Sequence, residues 1–152
     1  MSHYDKLRPS ADLQFCDCKE LRELLLVHRL TDNPVHCFAC NGALDPQRLG
    51  LSSKQVDMVS SWHGQFQALY SLWLDCGEYE AWAKVQLLKR DGQVNRDGLA
   101  AVAALSALLP TYYWWFHDES DPEPLCCPVC GDKLSASRKH GHGQCDACQV
   151  VI

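Results

Sequence analysis

Ten cysteines are the most reactive residues of this 152-residue sequence, and six of them form three Cys-x-x-Cys pairs. Two of these pairs lie near the end of the chain and are separated by fourteen residues. A tetrahedral Zn²⁺ ion takes four thiolates, and each Cys-x-x-Cys turn supplies two of them. The spacing therefore predicts a zinc ribbon over residues 126–152, with a positive φ at Gly131. Its ligands are Cys127, Cys130, Cys145 and Cys148. Because so short a segment cannot build its own core, we expect zinc to supply its folding energy.

A second group of four cysteines is predicted in the first fifty residues. Its members are Cys16, Cys18, Cys37 and Cys40. Leucines at helical spacing predict a helix over residues 19–30, and the two cysteine pairs could then meet at its N-terminal end. Two alternatives stay open: a site formed by Cys37 and Cys40 alone, or no site at all. The interpretation with both groups predicts two Zn²⁺ ions per chain.

The remaining residues give no catalytic site. Shells of four thiolates leave no open coordination position. The sequence contains no His-Glu-x-x-His, no Gly-x-Ser-x-Gly and no phosphate-binding loop. Cys76 follows an apolar helix and is expected to be a buried, inert thiol, while Cys126 adjoins a predicted ligand. We therefore expect no enzyme, no cofactor besides zinc and no small-molecule substrate.

Three helices are predicted between the two cysteine groups. The first covers residues 52–75, begins at a serine cap and carries apolar residues at steps of three and four. The second covers residues 78–90 and is expected to bury one face, formed by Ala81, Trp82, Val85 and Leu88. The third begins at an Asn95 cap and ends near Leu109, before Pro110.

The predicted fold is α+β, with a small helical body of three to four helices, an N-terminal Cys-rich segment and a C-terminal zinc ribbon. Residues 1–50 form the zinc-binding N-terminal segment. Residues 51–118 form the helical body, which ends in an aromatic strand over Thr111–Phe116. Residues 119–125 form an acidic linker that leads into the ribbon.

Composition and charge limit the function. The aromatic content, five Trp, five Tyr and four Phe, excludes wholesale disorder. The longest apolar run, Leu99–Leu109, is too short to cross a bilayer, and the first residues lack a signal core, so we expect a cytoplasmic protein and no membrane partner. A net charge of −5 argues against a general nucleic-acid binder. The ribbon tip (residues 133–144) nevertheless carries Lys133, Arg138 and Lys139, which indicate either phosphate contact or a solvated loop.

Several stretches together resemble an uncharacterised bacterial family of zinc-ribbon-containing proteins with a suggested nucleic-acid-binding role. The matching segments are PVHCFACNG (34–42), GEYEAWAKVQL (77–87), VNRDG (94–98), PTYYWWF (110–116) and the two C-terminal cysteine pairs. The resemblance implies a cysteine pair before the helices and a ribbon after them.

The sequence therefore predicts a non-enzymatic zinc-binding interaction module that acts on a protein or nucleic-acid partner through the ribbon tip and the neighbouring aromatic residues. The alternative is a protein-directed adaptor or immunity-like factor in which zinc is purely structural. An enzyme of unrecognised chemistry is the third and weakest interpretation.

Overall fold

The computed structural model describes residues 2–8, 15–29 and 33–152. The helical elements are a 3-10 helix at His3–Leu7, α1 at Pro46–Leu49, α2 at Ser53–Asp75, a 3-10 turn at Gly77–Tyr79, α3 at Glu80–Leu88 and α4 at Gln93–Ser106. The strands are β1 at Leu24–Leu26, β2 at Val35–Cys37, β3 at Thr111–Trp114, β4 at Ser135–Ala136, β5 at Gly143–Cys145 and β6 at Val150–Val151. Within the described residues, no helix combines the length and apolarity that crossing a membrane requires.

One mixed sheet joins the two ends of the chain. Its six strands run in the order β2-β1-β3-β6-β5-β4. The aromatic strand β3 is parallel to β1 on one side and to β6 on the other, with Tyr112 opposite Leu25 and Trp114 opposite Val151. The outer pairs are antiparallel. The predicted α+β class is confirmed, and the hairpins of both cysteine-rich segments meet at β3. The domain boundaries stay a prediction.

The helices cover one face of this sheet. Helix α2 begins at a Ser52 cap whose hydroxyl accepts from the Gln55 backbone N–H, and it packs against α3 and α4. At the centre of the core, the Trp62 indole N–H donates to the Tyr113 hydroxyl (3.2 Å), which donates to Asn95 Oδ1 (2.8 Å). Gly98 allows this close approach, because a Cβ there would lie 2.6 Å from the Tyr113 ring.

The predicted helix over residues 19–30 is wrong. Residues 24–26 form β1, and all three leucines are fully buried. Leu24 and Leu26 pack in the main core beneath the helices, whereas Leu25 packs on the opposite face with Phe38 and Tyr112. A short strand buried on both faces carries a continuous apolar run, which periodicity cannot distinguish from a buried helix.

The predicted buried face of the second helix is also wrong. Ala83 and Leu87 of α3 are buried, whereas Trp82 and Val85 are 54% and 56% exposed. The predicted Asn95 cap is also wrong, since Gly92 is the N-terminal cap of α4 and Asn95 lies within the helix. The buried Asn95 amide instead donates to the Leu87 and Lys89 carbonyl oxygens. The α4 helix ends at Ser106, before the predicted end at Leu109, and β3 ends at Trp114, two residues earlier than expected.

Candidate metal centres

The four C-terminal cysteines lie together as the spacing predicts. The C-terminal thiol group consists of Cys127, Cys130, Cys145 and Cys148, and its sulfur atoms all lie within 4.8 Å of one another. The Cys130 and Cys145 Sγ atoms are 3.8 Å apart, far beyond the roughly 2.05 Å of a disulfide. Tetrahedral geometry with metal–sulfur bonds of about 2.3 Å places the ligand sulfurs about 3.8 Å apart. The group therefore fits one thiophilic metal ion.

All three Cys-x-x-Cys turns are followed by a residue with left-handed backbone. The residue after the second cysteine takes a left-handed conformation in each: Asn41 (φ 57°), Gly131 (φ 79°) and Gln149 (φ 55°). In the first two turns this residue donates its N–H to the carbonyl oxygen of the leading cysteine, at 2.8 Å and 2.9 Å. The predicted positive φ at Gly131 is confirmed.

Backbone N–H groups in these turns also point at sulfur. The Val129 N–H donates to Cys127 Sγ (3.4 Å), and the Gly42 N–H donates to Cys40 Sγ (3.3 Å). Such donors stabilise a thiolate and thereby favour metal ligation.

The N-terminal cysteines form a second group of the same kind. The N-terminal thiol group is Cys16, Cys18, Cys37 and Cys40, whose sulfur atoms again lie within 4.8 Å of one another. Of the three sequence interpretations, the structure brings together the full set of four.

The path that brings Cys16 and Cys18 to this group is not helical. The Cys16 N–H donates to the Ala43 carbonyl oxygen (2.9 Å), and the Arg48 guanidinium donates to the carbonyl oxygens of both Cys16 (2.9 Å) and Cys18. Gly42 faces the Cys16 backbone, and a Cβ on Gly42 would lie 2.7 Å from the Cys16 nitrogen. Gly42 is thus needed for close packing against Cys16, while Asn41 takes the left-handed conformation.

The protonation of these thiols depends on a cation. Burial raises the pKa of Cys40 to about 12 and that of Cys148 to about 12. Burial also opposes ionisation of Cys16, but hydrogen bonds from the Cys18 backbone and the Cys40 thiol outweigh it and lower the pKa of Cys16. Four adjacent thiolates repel one another, so a bound cation is needed for all four to ionise.

The ribbon tip contacts the N-terminal thiol group. Arg138 forms a two-pronged ion pair with Glu23 (2.9 Å for each nitrogen), and its guanidinium lies 4.6 Å from the Phe38 ring centroid and 5.5 Å from that of Tyr112. Lys139 donates to the Ala39 carbonyl oxygen, and His140 Nε2 donates to that of Phe38 (2.6 Å). Phe38 and Ala39 are the two residues between Cys37 and Cys40, so the tip contacts this turn of the N-terminal thiol group directly.

The three predicted phosphate-contacting residues therefore have different environments. Arg138 and Lys139 are bound to partners within the chain, whereas Lys133 is exposed. One of the two cysteines outside the groups also differs from expectation. Cys76, expected to be buried, is exposed at the end of α2, where its thiol lies 3.5 Å from the Ser71 carbonyl oxygen. Cys126 is exposed beside the C-terminal group.

The structure also reveals a group that the sequence did not suggest. Nitrogen atoms of His117 and His142 and a carboxylate oxygen of Glu119 lie within 4.8 Å of one another. The two histidines are 25 positions apart and belong to no short motif. The sequence feature that could have drawn attention to this group is the position of residues 117–119, directly after the predicted aromatic strand.

Comparison of the chain with family models, with curated proteins and with solved structures gives no match.

Proposed function

We propose that this protein is a non-enzymatic interaction module in which each thiol group holds one structural Zn²⁺ ion. The sulfur arrangement carries this proposal: each group holds four thiols within 4.8 Å of one another, and the Cys130–Cys145 separation of 3.8 Å equals that of a zinc–thiolate tetrahedron. A shell of four cysteines is closed, whereas catalytic zinc keeps a position for water or substrate. The role proposed for the metal is to fix the two hairpins that flank β3.

Metal content of purified protein, measured by elemental mass spectrometry, tests the zinc sites. After dialysis against a weak chelator, which removes metal from exposed sites, we expect two Zn²⁺ per chain, falling to one in Cys37→Ser and to one in Cys127→Ser. Cys76→Ser is the matched control, since Cys76 lies outside both groups, and it should keep two. One zinc per chain that is lost only in Cys127→Ser would refute the N-terminal site, and iron instead of zinc would refute the metal assignment.

A protein partner is better supported than nucleic acid. Arg138 and Lys139 are engaged with Glu23 and Ala39, which leaves Lys133 as the one free cation among the three predicted tip residues. The net charge of −5 adds repulsion from phosphate. Binding to duplex or single-stranded nucleic acid should therefore be weak at low salt, and strong binding lost in Lys133→Ala would favour the nucleic-acid alternative.

The proposed interaction surface is the outer face of α3. Tyr79, Trp82 and Val85 are each more than half exposed there. Glu78, just before the helix, and Lys89, just after it, are both exposed. Two copies of α3 packed antiparallel would bury the apolar residues and place Glu78 of each copy near Lys89 of the other. Since this surface is complementary to itself, its proposed occupant is a second copy of the chain, related by a twofold axis.

Sedimentation velocity over a range of protein concentrations tests this surface. We expect a monomer–dimer equilibrium that Val85→Glu abolishes. Glu78→Lys and Lys89→Glu should each weaken the dimer, and the double variant should restore it, because the two charges exchange places across the twofold axis. A wild-type monomer at high concentration, or a dimer insensitive to Val85→Glu, would refute the self-association and leave the zinc sites unaffected.

A further inference from the structure

We infer that His117, Glu119 and His142 form a third metal site, with an open coordination position, for a divalent ion that prefers imidazole ligands, such as Zn²⁺ or Co²⁺. The three side chains come from the segment after β3 and from the loop before β5. Two imidazoles and one carboxylate are the ligand set of zinc sites that keep a fourth position for water. Neither thiol group contributes to this cluster.

The distances agree with ligation of one ion. His142 Nε2 lies 3.2 Å from both carboxylate oxygens of Glu119. Metal–ligand bonds of about 2.1 Å in a tetrahedron place neighbouring nitrogen and oxygen ligands about 3.4 Å apart. The His117 and His142 rings are edge to face, with their centroids 4.9 Å apart. The atoms can therefore bind one ion after only small side-chain movements.

The backbone of each ligand is held by contacts outside the cluster. His142 follows Gly141, which has a φ of 69° and approaches the Ile152 carbonyl so closely that a Cβ would lie 2.5 Å from its oxygen. The His142 and Gly143 N–H groups both donate to that same oxygen. Gly141 is thus required both for its left-handed conformation and for this close approach.

The segment that carries His117 and Glu119 is anchored as well. Phe116, just before His117, is buried. Asp118, between the two ligands, accepts from Lys84 Nζ (2.8 Å) and from the Ser120 N–H (2.9 Å). Fixed backbones on both sides reduce the conformational entropy that metal binding would cost.

A further carboxylate supports the required tautomer of His142. Glu123 Oε1 lies 3.9 Å from His142 Nδ1, on the side of the ring opposite Glu119. This distance is longer than a hydrogen bond, and a side-chain shift of about 1 Å would let Glu123 accept from Nδ1–H. That hydrogen bond would leave Nε2 free for the metal, as in carboxylate–histidine–zinc arrangements. Glu123 is thus a positioning residue and not a ligand.

Space for an additional ligand adjoins the cluster. His117 and Glu119 line a cavity of about 570 Å³, together with the rings of Phe66, Tyr70 and Trp114. Arg29 contributes a cation to the same wall. A metal ion held by the three side chains would therefore have room for water or an added ligand in its fourth position.

Titration of the zinc-loaded protein with Co²⁺ tests this site. Both thiol groups are first filled with Zn²⁺, and dialysis against a weak chelator then removes free Zn²⁺ and any Zn²⁺ at the exposed third site. We expect one further Co²⁺ to bind, with weak d–d absorption and without the intense sulfur-to-cobalt charge-transfer bands that displacement of zinc from a thiol group would produce. His142→Ala should weaken Co²⁺ binding by at least about 100-fold, and Glu123→Gln by about 10-fold.

Two further variants make the result decisive. Glu119→Gln removes an exposed carboxylate that the fold does not need, so its loss of Co²⁺ binding cannot be attributed to unfolding. His3→Ala, which removes an exposed histidine from another part of the chain, should bind Co²⁺ like the wild type. No Co²⁺ binding at millimolar concentration, sulfur charge-transfer bands, or equal binding by wild type and Glu119→Gln would each overturn the third site.

Discussion

Replacing Arg138 with alanine should weaken the metal binding proposed at the N-terminal thiol group, although Arg138 belongs to the C-terminal segment (residues 126–152). Its guanidinium pairs with Glu23 through two nitrogens and lies over the Phe38 and Tyr112 rings. Phe38 is one of the two residues between the ligands Cys37 and Cys40. Without Arg138, the turn that carries these ligands loses a contact that fixes its conformation.

The size of the effect follows from these contacts. Arg138 is about half exposed, with a side-chain exposure of 48%, so solvent screening limits the ion pair to about 1 kcal/mol. Each partly exposed cation–π contact adds about 0.5 kcal/mol. The sum is about 2 kcal/mol. If the Arg138 contacts form only in the metal-bound protein, their removal corresponds to about a 30-fold loss in zinc affinity at the N-terminal thiol group.

Competition for zinc with a chromogenic chelator measures this loss. Cys37→Ser, which should retain only the C-terminal Zn²⁺, identifies which phase of zinc release belongs to which site. Arg138→Lys keeps the charge without the two-pronged geometry and should have about half the effect in free energy. Lys133→Ala is the matched control, because Lys133 is a cation on the same tip, and it should release zinc like the wild type. An N-terminal affinity within about twofold of wild type in Arg138→Ala would refute the proposed contribution of the tip.

Other parts of the molecule give further predictions. Burial and the charge of His63 lower the pKa of His28 to about 4, so between pH 7 and pH 5 the unfolded chain binds a proton that the folded chain excludes. The free energy of urea unfolding should therefore decrease by up to about 2 kcal/mol over that range. His28→Phe should remove this part of the pH dependence, and an unchanged dependence would contradict the assignment. Gly98→Ala should lower stability by about 1–3 kcal/mol in thermal melts, because its Cβ would lie 2.6 Å from Tyr113. Gly64→Ala, whose Cβ would meet nothing within 4 Å on α2, should raise stability by about 0.5–1 kcal/mol. Lys84→Met removes the ion-pair partner that Asp118 and Asp121 share and should weaken Co²⁺ binding at the third site several-fold, whereas undiminished binding would show that this ion pair does not hold the site.

Features fixed by local chemistry could be predicted from the sequence. A Cys-x-x-Cys turn needs only its own residues and the following left-handed residue, so the C-terminal thiol group and the role of Gly131 were predictable. Helix α2 was equally predictable from the sequence, because its apolar periodicity and its Ser52 cap both lie within one continuous segment.

Features fixed by distant contacts could not be predicted in this way. The Leu24–Leu26 run forms a strand because β3, nearly ninety residues later, pairs with it. The orientation of α3 depends on which side meets α2, and the apolar residues on its two sides are too similar to indicate this. The engagement of Arg138 depends on Glu23 and Phe38, which are more than ninety residues away in sequence, so a basic tip alone gave no basis for distinguishing an internal ion pair from a phosphate contact.

The arrangement around β3 implies that the two thiol groups influence each other. Strand β3 pairs with β1 beside the N-terminal group and with β6 beside the C-terminal group, and the ribbon tip contacts the Cys37–Cys40 turn. On the proposed zinc assignment, an ion in the C-terminal thiol group orders its hairpin and with it the tip, so C-terminal Zn²⁺ should increase the zinc affinity of the N-terminal group. Linkage requires the reciprocal effect to be equal. The factor by which Cys127→Ser weakens the N-terminal site should therefore match the factor by which Cys37→Ser weakens the C-terminal site, and Arg138→Ala should reduce both. If the zinc affinity of each site stays at the wild-type value when the other site is removed, the coupling between the two sites is refuted. The shared sheet would then be rigid without metal, and each ion would stabilise only its own hairpin.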